Sequence, residues 1–216
     1  MTSGPAPGVR FIEVSPERLP GWIDRFAERH GDVRFDHHNE MVQVTAADGA
    51  IASVRLPFGP LGDHLDLRTA LLDHVRRDRR GGALLVRRGG HAVGVFDGRR
   101  LLASKVGRAY VQGRTKAGGW SQQRYARRRE QQAGQAYAEA ADAAALVLLP
   151  AVADLEAVVG GGDGSGVDAV LADPRLEPLR ALRRGRVLPT PDPRLDVLRR
   201  FADQLRAVTI TLNDRA

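Results

Sequence analysis

Cysteine is absent from all 216 residues. That excludes disulfides, iron–sulfur clusters and thiolate zinc sites. Lysine is nearly absent, since of 33 cations only Lys105 and Lys116 are not arginine. No apolar run approaches the ~18 residues that a membrane span requires, so no membrane partner is expected. Met1 to Gly8 lacks the basic-then-apolar pattern of an export signal, and a cytoplasmic location is the expectation. The most informative scarcity is local. From Gly98 to Arg129 there is no aspartate or glutamate.

The formal charge is +7. An Ala-, Gly- and Arg-heavy composition also follows from GC-rich coding, so the total distinguishes little and the distribution carries the information. A strand signal at 9–14 precedes a helical stripe from Leu19 to His30 with Leu19, Trp22, Ile23, Phe26 and Ala27 on one side. Strands follow near 32–36, 41–46 and 50–56, and Asp48-Gly49 marks a hairpin. A helix is expected over Asp66 to Arg77, then a meander of strands at 83–87, 91–96 and 100–106. Ser121 to about Ala145 reads as a long alanine-rich helix. A strand near 154–159, a glycine-rich turn over Gly160 to Gly166, a helix from Val167, a helix over Leu195 to Leu205 and a strand at Val208 to Leu212 complete the chain. Strands separated by helices argue for an α/β fold with a mixed β-sheet and flanking helices. Residues 1–80 are expected to form the N-terminal part of the same domain, and 81–216 the functional region around a loop at 113–123.

The acid-free stretch carries Arg99, Arg100, Lys105, Arg108, Arg114, Lys116, Arg124, Arg127, Arg128 and Arg129, with Tyr110, Trp120 and Tyr125 among them. Guanidinium groups meet phosphates and rings stack on unpaired bases, so this mixture suits RNA. A solvated basic face is the plainer alternative, and two features speak against it. The helix from Ser121 has its arginines at the N-terminal end and Glu139 and Asp142 toward the other. That opposes the helix dipole at about 0.3–1 kcal/mol per misplaced charge, a cost that a bound polyanion would offset. The residue three beyond Ser121 is Arg124 rather than the Glu or Gln of a capping box. The loop itself, Gly113-Arg114-Thr115-Lys116-Ala117-Gly118-Gly119-Trp120-Ser121-Gln122-Gln123, has glycines that let backbone approach a ligand closely.

The stretch GRTKAGGWSQQRYARRREQQ resembles the catalytic segment of eukaryotic and archaeal class I release factors, where a Gly-Gly-Gln loop leads into an Arg-aromatic-Ala-Arg helix, here Arg124-Tyr125-Ala126-Arg127. Trp120 stands where their glutamine would be. The segment is closer to the VLRF family, the release-factor-like tRNA hydrolases of ribosome-associated quality control, whose Gly-x-x-Gln is matched by Gly119-Trp120-Ser121-Gln122. The resemblance implies a fold like the RNase H-like middle domain of release factors and a peptidyl-tRNA hydrolase acting on stalled or split large ribosomal subunits. It implies no cofactor and no metal, with peptidyl-tRNA and large-subunit RNA as partners of a chain that is monomeric when free. Gln122 would orient the attacking water, with Gln123 its rival one register away. Gly118 and Gly119 would let the loop enter, while Arg114, Lys116, Arg124, Arg127 and Arg128 would hold RNA phosphates. Trp120 would stack on a terminal base or pack under the loop.

Other chemistries are less well supported. Gly162-x-Gly164 lacks the third glycine of a dinucleotide fingerprint, and there is no Gly-Lys-Ser/Thr of a P-loop. His37 and His38 are adjacent and so alternate across a strand. Asp63, His64 and Asp66 sit in a loop, and no Gly-x-Ser-x-Gly elbow exists. A nuclease cutting the tRNA 3′ end with the same loop, and a non-catalytic ribosome- or RNA-binding module, remain as alternatives.

Overall fold

A computed structural model describes residues 10–62, 66–108 and 121–216, the side chains of 121–131 excepted. The chain forms two compact units. One comprises Met1–Arg77 together with Arg206–Ala216, and the other Asp78–Leu205.

The first unit is an antiparallel sheet with helices α1 (Leu19–His30) and α2 (Leu67–Arg76). Its strands are β1 (Arg10–Val14), β2 (Val33–His38), β3 (Met41–Ala46), β4 (Ile51–Arg55) and β9 (Val208–Leu212), in the order β1-β9-β4-β3-β2. The apolar period of α1 buries Leu19, Ile23 and Phe26, and the helix ends at Gly31, whose φ of 87° suits glycine. The hairpin expected at Asp48-Gly49 joins β3 to β4, with Asp48 Oδ1 accepting from the Ala50 N–H at 2.9 Å. Strand β9 is internal and pairs with both β1 and β4. Its Val208 and Ile210 are fully buried in the core with Val42, Val44, Ala52 and Val54.

The second unit has the mixed sheet that alternating strands and helices imply. Strands β5 (Arg80–Arg87), β6 (Gly90–Asp97), β7 (Arg100–Arg108) and β8 (Ala157–Gly162) lie in the order β7-β6-β5-β8, and only the β5–β8 pair is parallel. Leu84, Val86, Val93 and Val95 share a core with the alanines of α3 (Ser121–Leu148) and with Val167, Val170 and Leu171 of α4 (Gly164–Leu171). Alanine at 140, 141, 143 and 144 keeps that face of α3 flat enough to lie close on the strands. Helix α6 (Leu195–Arg206) covers the opposite face, where its Leu198 and Phe201 meet Gly94 and Gly161. A short helix, α5 (Glu177–Ala181), lies between α4 and α6 in the chain.

The glycine run is not the turn its composition suggests. Gly160 to Gly162 are the end of β8, and α4 begins at Gly164. A Cβ at Gly160 would lie 2.8 Å from Val167 Cγ1, and one at Gly161 would lie 2.5 Å from Leu85 Cδ2 and 3.0 Å from Phe201 Cε2. These glycines are spacers between tightly packed layers. Within the run only Gly162, at the end of β8, has a positive φ, of 93°.

Candidate functional site

The net positive charge belongs to one unit. Residues 78–205 hold 22 Lys and Arg against 14 Asp and Glu, whereas the remainder holds 11 against 12. Electrostatic attraction of a polyanion therefore centres on the second unit.

Within it, β7 is an edge strand that leads to residue 109, and α3 resumes at Ser121. Arg114, Lys116, Gly118, Gly119 and Trp120 lie outside the described residues. Positions 122, 123, 124, 127 and 128 are in α3, although the side chains of Gln122, Gln123, Arg124, Arg127 and Arg128 lie outside the description. The three C-terminal residues of the expected 113–123 loop are thus helical. Gln122 and Gln123 occupy the first turn of α3, where backbone N–H groups have no intrahelical acceptor and no acidic residue is present. By helical period, positions 124, 127 and 128 fall on one face.

Not every cation of the acid-free stretch is available to a ligand. Arg99 pairs with Asp203 of α6 at 2.7 Å, and Arg100 lies 3.9 Å from Asp97. Lys105 and Arg108 are exposed on β7 and form no ion pair among the described residues. Among the described side chains, the cations left at the root of the loop are therefore Lys105 and Arg108, on the loop-proximal part of β7.

One residue that sequence reasoning passed over stands at this root. His91, opposite Gly107 in the β6–β7 register, is 4% exposed. Burial holds its imidazole below the ordinary histidine range. Glu139 of α3 acts in the opposite direction, and Lys105 of β7 adds to the lowering. A Cβ on Gly107 would overlap His91 Cε1, so the ring fills the space that glycine leaves. A histidine in an apolar stretch is visible in the sequence, but its burial and its glycine partner follow only from the structure and its cross-strand register. The C-terminal half of α3 is tied down separately by Arg175, which pairs with Asp142 at 2.8 Å and with Asp173 at 2.7 Å.

Among the described residues no group of three or more His, Asp or Glu could hold a metal ion. His37 Nε2 is taken up by the Asn39 carbonyl at 2.6 Å, while Asp63 and His64 lie outside the description. Among the described residues no helix is long and apolar enough to cross a membrane.

The family model for the Actinobacteria/chloroflexi VLRF1 release factor matches residues 79–211. No curated protein matches the chain. Among solved structures, the chain is similar to an archaeal translation termination factor, aRF1, at 15% identity and a TM-score of 0.47, covering 94% of this chain and 68% of that one. It is also similar to a chain described only as an archaeal protein, at 14% identity and a TM-score of 0.37, covering 91% of this chain and 64% of the other.

Proposed function

Because the chain belongs to the Actinobacteria/chloroflexi VLRF1 release factor family, we propose that it hydrolyses the ester of peptidyl-tRNA on stalled or split large ribosomal subunits and so frees the nascent chain. What supports the reading is that the Gly119-Trp120-Ser121-Gln122 motif lies, in sequence, between edge strand β7 with its exposed Lys105 and Arg108 and a helix whose first turn contains Gln122 and Gln123 and no acid. Water oxygen adds to the ester carbonyl carbon. The bond from that carbon to the ribose oxygen of the terminal adenosine then breaks, and a proton ends on the ribose hydroxyl. An ester needs no covalent relay, so catalysis rests on positioning the water and stabilising the developing oxyanion. Gln122 is the orienting residue, and Gln123 is the rival by a shift of one. Unpartnered N–H groups in the first turn of α3 are donors of the kind an oxyanion requires. Gly118 and Gly119 admit the loop to an RNA-lined site, Trp120 meets a terminal base, and Arg114, Lys116, Arg124, Arg127 and Arg128 hold phosphates.

The test is release of a labelled peptide from purified large-subunit complexes. Gln122→Ala is expected to abolish release while leaving subunit binding intact, and Gln123→Ala to retain it. Equal release by wild type and Gln122→Ala removes that residue from the mechanism. The products separate the other chemistries, since a shortened tRNA marks a nuclease and an unaltered peptidyl-tRNA marks a binding module.

A further inference from the structure

The first unit holds a cleft of about 360 Å³ along α1 and the adjoining edge of the sheet, a volume in the range of small-ligand sites. Its walls combine two chemistries. Along α1 the Trp22 ring stacks on Phe26 at 5.4 Å with 19° between planes, and Phe26 meets His30 at 4.8 Å. Three rings therefore form a ladder down one side of the helix. Across from it, Phe11 on the edge strand β1 is 56% exposed, a large apolar ring left facing water.

The charged wall is Arg10, Arg25 and Arg29, and no Asp or Glu lines the cleft. That segregation is notable in a unit whose 11 cations and 12 acids nearly cancel. Arg25 and Arg29 are exposed, one helical turn apart, and neither forms an ion pair among the described residues. Like charges at that spacing disfavour the helix. Elsewhere in the unit Arg68 pairs with Asp24, Arg34 with Asp36 and Arg206 with Glu17, while Arg18, Arg55, Arg76 and Arg77 form no ion pair among the described residues. Arg10 donates to the Ala216 carbonyl. His30 pairs with Asp48 at 2.8 Å.

From this pairing of flat rings with unpartnered guanidiniums, we propose that the α1 cleft binds unpaired bases of single-stranded RNA, as a second nucleic-acid contact in the unit that lacks the hydrolytic motif. Phe26 backs the half-buried Trp22 from within the core, so bases meet Trp22 and the exposed Phe11, and the phosphates flanking them supply charge for Arg25 and Arg29. An acidic peptide would satisfy the arginines but leave the rings without a matching surface. The inference stands apart from the hydrolytic reading, because none of its residues lies in the motif or in α3.

The chain has two tryptophans, which gives a local probe. In a Trp120→Phe variant all tryptophan emission comes from Trp22. A labelled twelve-nucleotide single-stranded RNA is titrated into the full chain, with anisotropy reporting total binding and Trp22 emission reporting the cleft. The expected result is saturable quenching of Trp22. The added pair Arg25→Gln and Arg29→Gln should weaken the quenching midpoint at least about tenfold and flatten its dependence on salt by a slope of about 1.4. Both substitutions are on exposed positions of α1 and leave its buried face intact. Bound RNA with unchanged Trp22 emission overturns the proposal, as does quenching that the double substitution leaves unaltered. Equal quenching by AMP at the same nucleotide concentration assigns the cleft to a free nucleotide, and equal quenching by polyglutamate assigns it to an acidic protein. Either result also overturns it. Peptide release by the unsubstituted chain is read separately, so failure here leaves the hydrolytic reading untouched.

Discussion

His91 shows how far one side chain can reach in this fold. Its ring is buried between β6, Gly107 and the helix above, and burial lowers its pKa in the folded state. The unfolded chain therefore binds more protons in the window just below the ordinary histidine value of ~6.5. The stability that neutral His91 contributes is whole above that value and is lost as pH falls through the folded one. Thermal melting between about pH 7 and about pH 5 should fall more steeply for the wild type than for His91→Asn, and parallel curves would show that the imidazole titrates as it does in water. Gly107→Ala drives a methyl into the same ring and is expected to cost about 1–3 kcal/mol in chemical denaturation. Because Gly107 is the penultimate residue of β7, loss of peptide release at matched folded fraction would show that the ring also sets where the loop departs.

At the scale of elements, α3 holds both the most legible and the least legible parts of the molecule. Its start at Ser121, the limits of α1 and those of β9 could be read from periodicity and capping, because each of these elements has one apolar face and a clear stop. Helix α3 runs on to Leu148, beyond the expected Ala145, since its last turns stay apolar and buried against the sheet. The glycine run was misread for a reason of a different kind. Composition reports conformational freedom, whereas Gly160 and Gly161 are fixed by Val167, Leu85 and Phe201, which come from distant parts of the sequence. The same blindness hid the pairing of Arg99 with Asp203, about a hundred residues away, so an acid-free stretch of sequence overstates the free charge of the surface it forms. Of the candidate site, the placement of Gln122 and Gln123 at the start of α3 was legible, and residues 113–120 lie outside the description. The arginines at the start of α3 oppose its dipole. Arg124→Gln should therefore raise helix stability by about 0.3–1 kcal/mol, while in Arg127→Gln with Arg128→Gln RNA binding weakens and its salt slope flattens by about 1.4. A fall in melting temperature, or an unchanged salt slope, would mean that those positions serve the fold and not a polyanion.

On the scale of the whole molecule, the decisive fact is the route of the chain. The second unit, residues 78–205, is inserted between the first seventy-seven residues and the strand that completes their sheet. Ile210 is fully buried in β9, and Ile210→Ala is expected to cost about 2–5 kcal/mol. Amide hydrogen exchange should quicken in β1, β3 and β4 and stay slow in β5 and β6. Uniform acceleration through both sheets would show that the units melt as one. The interior position of β9 also dictates a schedule during synthesis. Strand β4 ends at Arg55 and its neighbour begins at Val208, so at about 5–20 residues per second the facing edges of β1 and β4 wait roughly 8–30 s for their partner. Over that interval the emerging polypeptide exposes two unzipped β edges of the kind that invite aggregation, while residues 78–205 can already have collapsed. A protein that we propose rescues stalled translation is itself exposed to a pause in its own final stretch, because a halt before residue 208 leaves the first sheet open down its middle.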